Sequence, residues 1–312
     1  MTAYKTLKGQ SIRQVASDPT NPVIGEIWYN TNMGSLKAYV TVASAWASGG
    51  NLNTARYALA GAGTQTAGLA FSGYDGTAMF ATAEEYNGSS WSNGGNMGTA
   101  RYRLAGLGTQ TAALGTRGFA PAPTGPTGAT EEYDGSSWTA GGLNPVTGSS
   151  SSNSGATGTQ TAGLNFGGSP SDNSSHEYNG SSWTTGGNLN TGRSIRTGAG
   201  TQTAGLAFGN TTATEGYNGT SWTTLNSLTN NGEGGNGDLQ TAAIAIAPSG
   251  ATELWDGTNW TSSGATAAVP RSDFSAAGTK ASALKFGGNP PITNSTEEFT
   301  AGFNATRTIT TS

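Results

Sequence analysis

The chain contains no cysteine and one histidine in 312 residues. Disulfides, thiolate metal sites, cysteine nucleophiles and iron–sulfur clusters are therefore excluded together. With only His176, a site built from several histidines within one chain is excluded too. Charge is scarce: Asp, Glu, Lys and Arg make up 10% of the residues, with 14 cationic side chains and a net charge of −4. Soluble domains usually carry about 25%. No block of like charge occurs, which argues against a basic surface for nucleic-acid phosphates or anionic lipid. No run of about 20 apolar residues is present to span a bilayer as a helix. The segment MTAYKTLKGQSIRQ lacks an apolar signal core and a small-residue cleavage site, so no secretory signal is expected, with a mature form or another export route left open.

What the chain has in excess is glycine, at 50 residues. That abundance would suit disorder, were the aromatic residues not placed at fixed intervals. Segments like GTQTAGLAF begin at Gly63, Gly108, Gly158 and Gly200, with weaker copies at Gly237 and Gly278. Each is followed by a second signature: AEEYNGSSW, TEEYDGSSW, SHEYNGSSW, TEGYNGTSW and TELWDGTNW, ending at Trp91, Trp138, Trp183, Trp222 and Trp260. A degenerate sixth copy surrounds Phe299. Successive Trp residues from Trp91 are 47, 45, 39 and 38 residues apart. This period fits one four-stranded propeller blade.

In the first unit, residues 56–60 read as the first strand, 67–71 as the second, 83–86 as the third and 89–91 as the fourth. Asn87-Gly88 reads as a two-residue hairpin turn, with Tyr86 opposite Ser89 and Glu84 opposite Trp91. Alternation along a strand puts Tyr86, Trp91 and Glu84 on one face. The repeated rings Tyr86, Trp91, Tyr133, Trp138, Tyr178, Trp183, Tyr217, Trp222, Trp255 and Trp260 are then expected to fill the core between neighbouring blades, each contributing roughly 1.5–3 kcal/mol. Glu84, Glu131, Glu215, Glu253 and Glu297 occupy one repeat position, with His176 in the third unit. Arg56, Arg101, Arg193 and Arg271 open four units. Such repetition indicates a structural role.

The glycine pairs after the second strand (Gly167-Gly168, Gly287-Gly288), followed by an aromatic residue and a Trp, resemble the kelch-type β-propellers over residues 47–312. The spacing from Tyr to Trp is one shorter than in many kelch units, and several units lack the glycine pair. The resemblance implies an all-β fold of about six four-stranded blades, or seven if the N-terminal hairpin builds a composite blade. Residues 1–46 stand apart from the repeat. Their DPTNPVIGEIWYNTNMGSLK resembles a segment common in tailed-phage virion proteins, placed before fibre or appendage domains. It implies a hairpin for attachment to other virion proteins, with Trp28 and Tyr29 in that role. The strand around Trp46 has no first or second strand of its own and is expected to pair into the last blade, a place for which Thr306–Thr310 competes.

The connections between second and third strands vary most in length, which makes them the expected binding face. They carry Tyr74, Asp75 and Phe80, then Arg117 and Phe119, then Asp172, as candidates for contact with a host-surface glycan or protein. No catalytic residue, metal or cofactor is expected. The propeller enzymes with a copper site need a cysteine and two histidines, and no phosphate-binding loop occurs. The functional expectation is a non-enzymatic virion component, a tail fibre or surface appendage present as copies in a symmetric assembly. The alternatives are a purely structural decoration or fibre-spacer protein, and, behind both, a glycan-processing enzyme.

Overall fold

The computed structural model describes residues 12–145 and 152–310. It is all-β, with no helix among the described residues. The chain divides into two compact units.

The smaller unit comprises residues 1–44 and 301–312. Ile27–Asn30 and Ser35–Val42 form the expected hairpin, with Arg13–Val15 added in parallel on one edge and Phe303–Thr308 antiparallel on the other. The C-terminal strand thus belongs with the N-terminal hairpin, which corrects a division at residue 46. Val40 faces Ala305 in the register, and Lys37 Nζ donates to Thr308 Oγ1 at 2.8 Å. Trp28 is fully buried, and its indole N–H donates to Asp18 Oδ1 at 2.9 Å while Asn30 Nδ2 donates to the same oxygen at 2.8 Å. The DP…IWYN spacing therefore builds a core, and Trp28 is unavailable as an attachment contact. Tyr29, on the opposite face of the strand, is half-buried.

The larger unit, residues 45–300, contains six four-stranded antiparallel sheets in a propeller-like arrangement. The first sheet is Ala60–Gly63, Gly68–Phe71, Ala83–Tyr86 and Trp91–Asn93. The second is Ala105–Thr109, Ala112–Thr116, Thr130–Tyr133 and Trp138–Ala140. Gly155–Thr159, Ala162–Gly168, Asp172–Tyr178 and Trp183–Thr185 form the third. The fourth is Thr197–Gly200, Gly205–Phe208, Thr214–Tyr217 and Trp222–Leu225. Gly234–Leu239, Ala242–Ile246, Ala251–Trp255 and Trp260–Thr266 make the fifth. In the sixth, Ser275–Gly278, Ser282–Phe286 and Thr296–Thr300 are completed by Ala45–Ser48, so Trp46 faces Phe299. The Trp46 strand fills the last sheet, and the C-terminal strand does not compete for it.

Two local readings change. The first strand begins at Ala60, not Arg56, because Ala58 adopts φ +51° and breaks the extended path. The hairpin register also moves by two: Tyr86 faces Trp91 and Glu84 faces Asn93. The loop has four residues, closed by Asn87 N–H donating to the Ser90 carbonyl at 3.1 Å. Asn87 Oδ1 accepts the N–H groups of Ser89 and Ser90 at 3.0 and 2.9 Å, a turn held by its own side chain. Asp134 repeats this and is held down to about pKa 2 by the Ser137 N–H, then by Ser136.

First strands of consecutive sheets touch all the way from the first sheet to the sixth, and the sixth touches the first again. Three side-chain links repeat across these boundaries. The turn glutamine reaches back to two carbonyls of the preceding sheet, as Gln110 Nε2 does to Gly68 at 2.9 Å and Tyr86 at 2.8 Å, and Gln65 does to Ala283 and Phe299 of the sixth sheet. The tyrosine hydroxyl donates to a glutamate of the preceding sheet: Tyr86 to Glu298, Tyr133 to Glu85, Tyr178 to Glu132 and Tyr217 to Glu177. Where the tyrosine gives way to Trp255 or Phe299, the preceding sheet has Gly216 or Leu254 in place of glutamate. Carboxylate and hydroxyl come and go together, because either alone would be buried without its partner.

The third link joins the indole N–H to a hydroxyl of the preceding sheet. Trp91 uses Thr296, Trp183 uses Thr130 and Trp260 uses Thr214, at 3.0, 2.9 and 2.9 Å. For Trp138 of the second sheet the preceding sheet has Ala83 at the hydroxyl position, and Trp138 Nε1 is buried without a partner. Glycine Gly50, ahead of the first sheet, lies so close to the next turn that a Cβ would overlap the Ser89 carbonyl oxygen; Gly95, Gly142 and Gly187 repeat that approach. Much of the glycine excess is explained by such packing between neighbours.

Ala83→Thr should give Trp138 its missing acceptor and stabilise the protein by about 1 kcal/mol. Urea unfolding would show it as a raised midpoint at unchanged slope; a lowered midpoint would mean the extra methyl overpacks the site.

Candidate ligand-binding face

The charged residues of the repeat are engaged inside the structure. Glu84 accepts the backbone N–H groups of Asn53 and Thr54 at 2.6 and 3.3 Å, and the Arg56 guanidinium at 2.9 Å. Glu131 does the same with Gly98 N–H and Arg101, and Glu297 with Ala268 and Val269 N–H and Arg271. Arg193 pairs with Glu215. Glu253, with no arginine in its unit, accepts Thr229 and Asn230 N–H at 3.0 and 2.7 Å. Each carboxylate fastens the segment entering its sheet, and the arginines are almost completely buried. Burial pulls the Arg56 and Arg101 guanidinium pKa values down, opposed by the adjacent glutamates.

The third sheet departs from this pattern in a coupled way. His176 stands at the glutamate position, and Arg117 enters from the connection in the second repeat. Arg117 is fully buried, donating to the Gly167 carbonyl at 2.7 Å and to Asp172 Oδ2 at 2.9 Å. In the second and sixth repeats the equivalent carbonyls, Arg117 and Gly287, are held by Arg101 and Arg271. Arg117 thus does for the third sheet what an arginine of the same repeat does elsewhere. As candidates for an exposed binding loop, Arg117 and Asp172 are corrected: they form an internal bridge.

The remaining loop candidates come together on the same connections. Tyr57 and Tyr74 exchange two backbone hydrogen bonds, each 3.0 Å, linking the segment before the first strand to the segment after the second. Tyr102 and Phe119 are joined in the same way one repeat on, at 3.1 and 2.9 Å. Equivalent positions in adjacent repeats place the four rings in a continuous row. Centroids are 5.6 Å apart for Tyr57 and Tyr74, 5.4 Å for Tyr74 and Tyr102, and 5.6 Å for Tyr102 and Phe119. All four rings are half-buried. Asp75 is turned to its own loop, where Oδ1 accepts Thr77 and Ala78 N–H at 2.7 Å, holding the carboxyl below its usual range. Phe80 is half-buried beside this loop, its N–H donating to the Gly73 carbonyl at 2.9 Å.

Beyond the row lies a polar cavity lined by Ala58, Arg103, Asn153, Arg196 and Asp273, among others, where the first strands begin. Backbone bonds cross from sheet to sheet here: Ala58 N–H to Asp273, Arg103 N–H to Ala58, Asn153 N–H to Arg103 and Ile195 N–H to Asn153. Arg196 is held by Glu233 at 2.8 Å, by Asn153 Oδ1 at 3.1 Å and by Asp273. Arg103 rests over the Tyr102 ring at 5.3 Å. Sequence reasoning missed Tyr57, Tyr102 and Arg103. The available signal was a tyrosine after the arginine in RYA and RYR, where the fourth and sixth repeats have serine.

The repeated rings Tyr86, Tyr133, Tyr178, Tyr217 and Trp255 are fully buried; Trp91, Trp183, Trp222 and Trp260 are nearly so, and Trp138 is half-buried. Burial, aided by the neighbouring carboxylates, raises the four tyrosine hydroxyls to about 12, which keeps them as donors. Among the described residues, no group of three or more His, Asp or Glu side chains could hold a metal ion. No protein-family model matches the chain, and no curated protein matches it.

His176 yields a pH test. Burial, and next the Arg117 charge, hold its imidazole down to about 4, against an ordinary 6.5. Between those values the unfolded chain binds a proton that the folded chain refuses, so stability falls as pH drops from 6.5 towards 4. Comparing urea midpoints at pH 7 and pH 4.5, His176→Asn should lose less stability than the parent; equal losses would remove His176 as a cause.

Proposed function

We propose that this chain is a non-enzymatic structural protein of a phage virion, a tail fibre or surface appendage. Its six repeat sheets close into a kelch-like β-propeller, and the face bearing the aromatic row meets a glycan or protein of the host surface. The row Tyr57–Tyr74–Tyr102–Phe119 carries this reading. Four half-buried rings, three of them tyrosines whose hydroxyls have no partner among the described residues, offer apolar faces and polar tips at low cost in conformational freedom. The repeated glutamates are meanwhile occupied in fastening the sheets, and the neighbouring carboxylates Glu233 and Asp273 are both engaged by Arg196, an arrangement that suits structure better than acid–base catalysis.

The smaller unit is the attachment part in this reading. Val23, Ile24 and Met33 are 62–71% exposed there, beside the half-buried Tyr29. These apolar side chains suit contact with another virion protein better than Trp28, which is committed to the core.

Binding of the full chain to host cells and to a glycan array tests the display face. Tyr74→Ala with Tyr102→Ala should reduce binding at least tenfold while the unfolding midpoint stays within a few degrees. A parent chain that binds neither cells nor glycans would leave a decoration or spacer protein as the reading.

A further inference from the structure

Resting on that reading, we infer that the aromatic face takes an acidic saccharide, an oligosaccharide bearing a carboxylate, with Arg103 as the group that receives the acid. Cations and anions at the cavity mouth are unequally committed. Arg196 bonds both Glu233 and Asp273 through Nη1 and Asn153 through Nε, so both carboxylates already hold a guanidinium. The Asp273 N–H also donates to Glu233, at 2.8 Å. Arg103 has no ion pair or side-chain hydrogen bond among the described residues, and its Nε is buried without an acceptor. Its guanidinium lies over the Tyr102 ring and feels the like charge of Arg196.

The position of Arg103 joins the two features of the face. It lines the polar cavity and lies against the third ring of the aromatic row. Its backbone is fixed by hydrogen bonds on both sides, to Ala58 and from Asn153. The guanidinium rests on the Tyr102 ring, and its planar fork matches a carboxylate with two parallel hydrogen bonds. A sugar carrying that carboxylate would set the apolar side of its ring on Tyr102 and Tyr74. Its hydroxyls would meet the tyrosine hydroxyls, which lack partners among the described residues. An acidic peptide would satisfy Arg103 equally but gains less from a row of rings ending in hydroxyls.

Titration of the full chain at low and physiological salt with 3′-sialyllactose and tetragalacturonate, against lactose and cellotetraose, tests this. Tetraglutamate serves as the acidic peptide. The acidic saccharides should bind about tenfold tighter than their neutral counterparts, with the preference shrinking as salt rises. Arg103→Gln should abolish the preference and leave neutral binding in place, while Arg103→Lys should keep part of it. Equal binding of neutral and acidic saccharides, or a preference unchanged in Arg103→Gln, overturns the role of Arg103 and leaves surface recognition standing. Tetraglutamate binding as tightly as the acidic saccharides overturns the saccharide. Absence of binding by all five probes, with host cells still bound through Tyr74 and Tyr102, overturns it too; absence of cell binding as well removes the display reading itself.

Discussion

The buried glutamate at one position of the third strand in five of the six sheets is the interaction on which the larger unit depends. Its carboxylate accepts the N–H groups of the segment that enters its own sheet from the fourth strand of the one before. That segment lies outside the strands, and the carboxylate supplies the acceptors for its N–H groups. In four repeats an arginine completes the arrangement, neutralising the carboxylate and using its remaining N–H groups on nearby carbonyls. Removing one partner of such a pair leaves an uncompensated buried charge, a loss of about 3–5 kcal/mol. The repeat thus spends most of its few charges on holding sheets in sequence, and few remain for a surface.

The boundaries between sheets follow the same economy of polar groups. Each tyrosine hydroxyl has a glutamate from the sheet before it, each turn glutamine has two carbonyls, and the indoles have hydroxyls wherever threonine or serine is present. Aromatic packing adds to this: Phe71 lies 4.8 Å from Trp138 and Phe286 lies 5.1 Å from Trp91, both across a boundary. Glycine is required where a tyrosine hydroxyl and a turn carbonyl press against the chain, as at Gly94 and Gly95. Departures are coupled across a boundary, as with Gly216 before Trp255, and that coupling identifies them as structural substitutions. The row of half-buried rings obeys no such rule. Among the described residues it occurs in two adjacent repeats, with Ser272 and Asn289 at the corresponding bridge of the sixth, and no partner across a sheet boundary accounts for it.

Much of this was legible from spacing. The period and the Tyr–Trp signature indicate four-stranded units and a core of repeated rings, since two-fold alternation sorts side chains onto faces whatever the tertiary context. The hairpin around Asn30–Ser35 was legible for the same reason. The turn between third and fourth strands was misread by two residues because Asn-Gly suits a two-residue loop, whereas Asn87 Oδ1 captures two N–H groups further on and lengthens it. Arg117 and Asp172 looked like loop residues because their meeting depends on two connections 55 residues apart in sequence. The aromatic row was half legible: Tyr74 and Phe119 fall in the variable connections, but Tyr57 and Tyr102 sit in segments that read as strand.

Local periodicity and composition dictate the repeat, the residue types that fill its core and the scarcity of charge. Tertiary structure alone decided which partners those residues take. Trp46 completes the sixth sheet and Phe303–Thr308 the N-terminal one, since pairing between strands some 250 residues apart is set by which edges are left open. It also decided that Arg196 is ion-paired while Arg103, among the described residues, is not, because charges from four different repeats meet there, and no spacing within one repeat encodes that meeting.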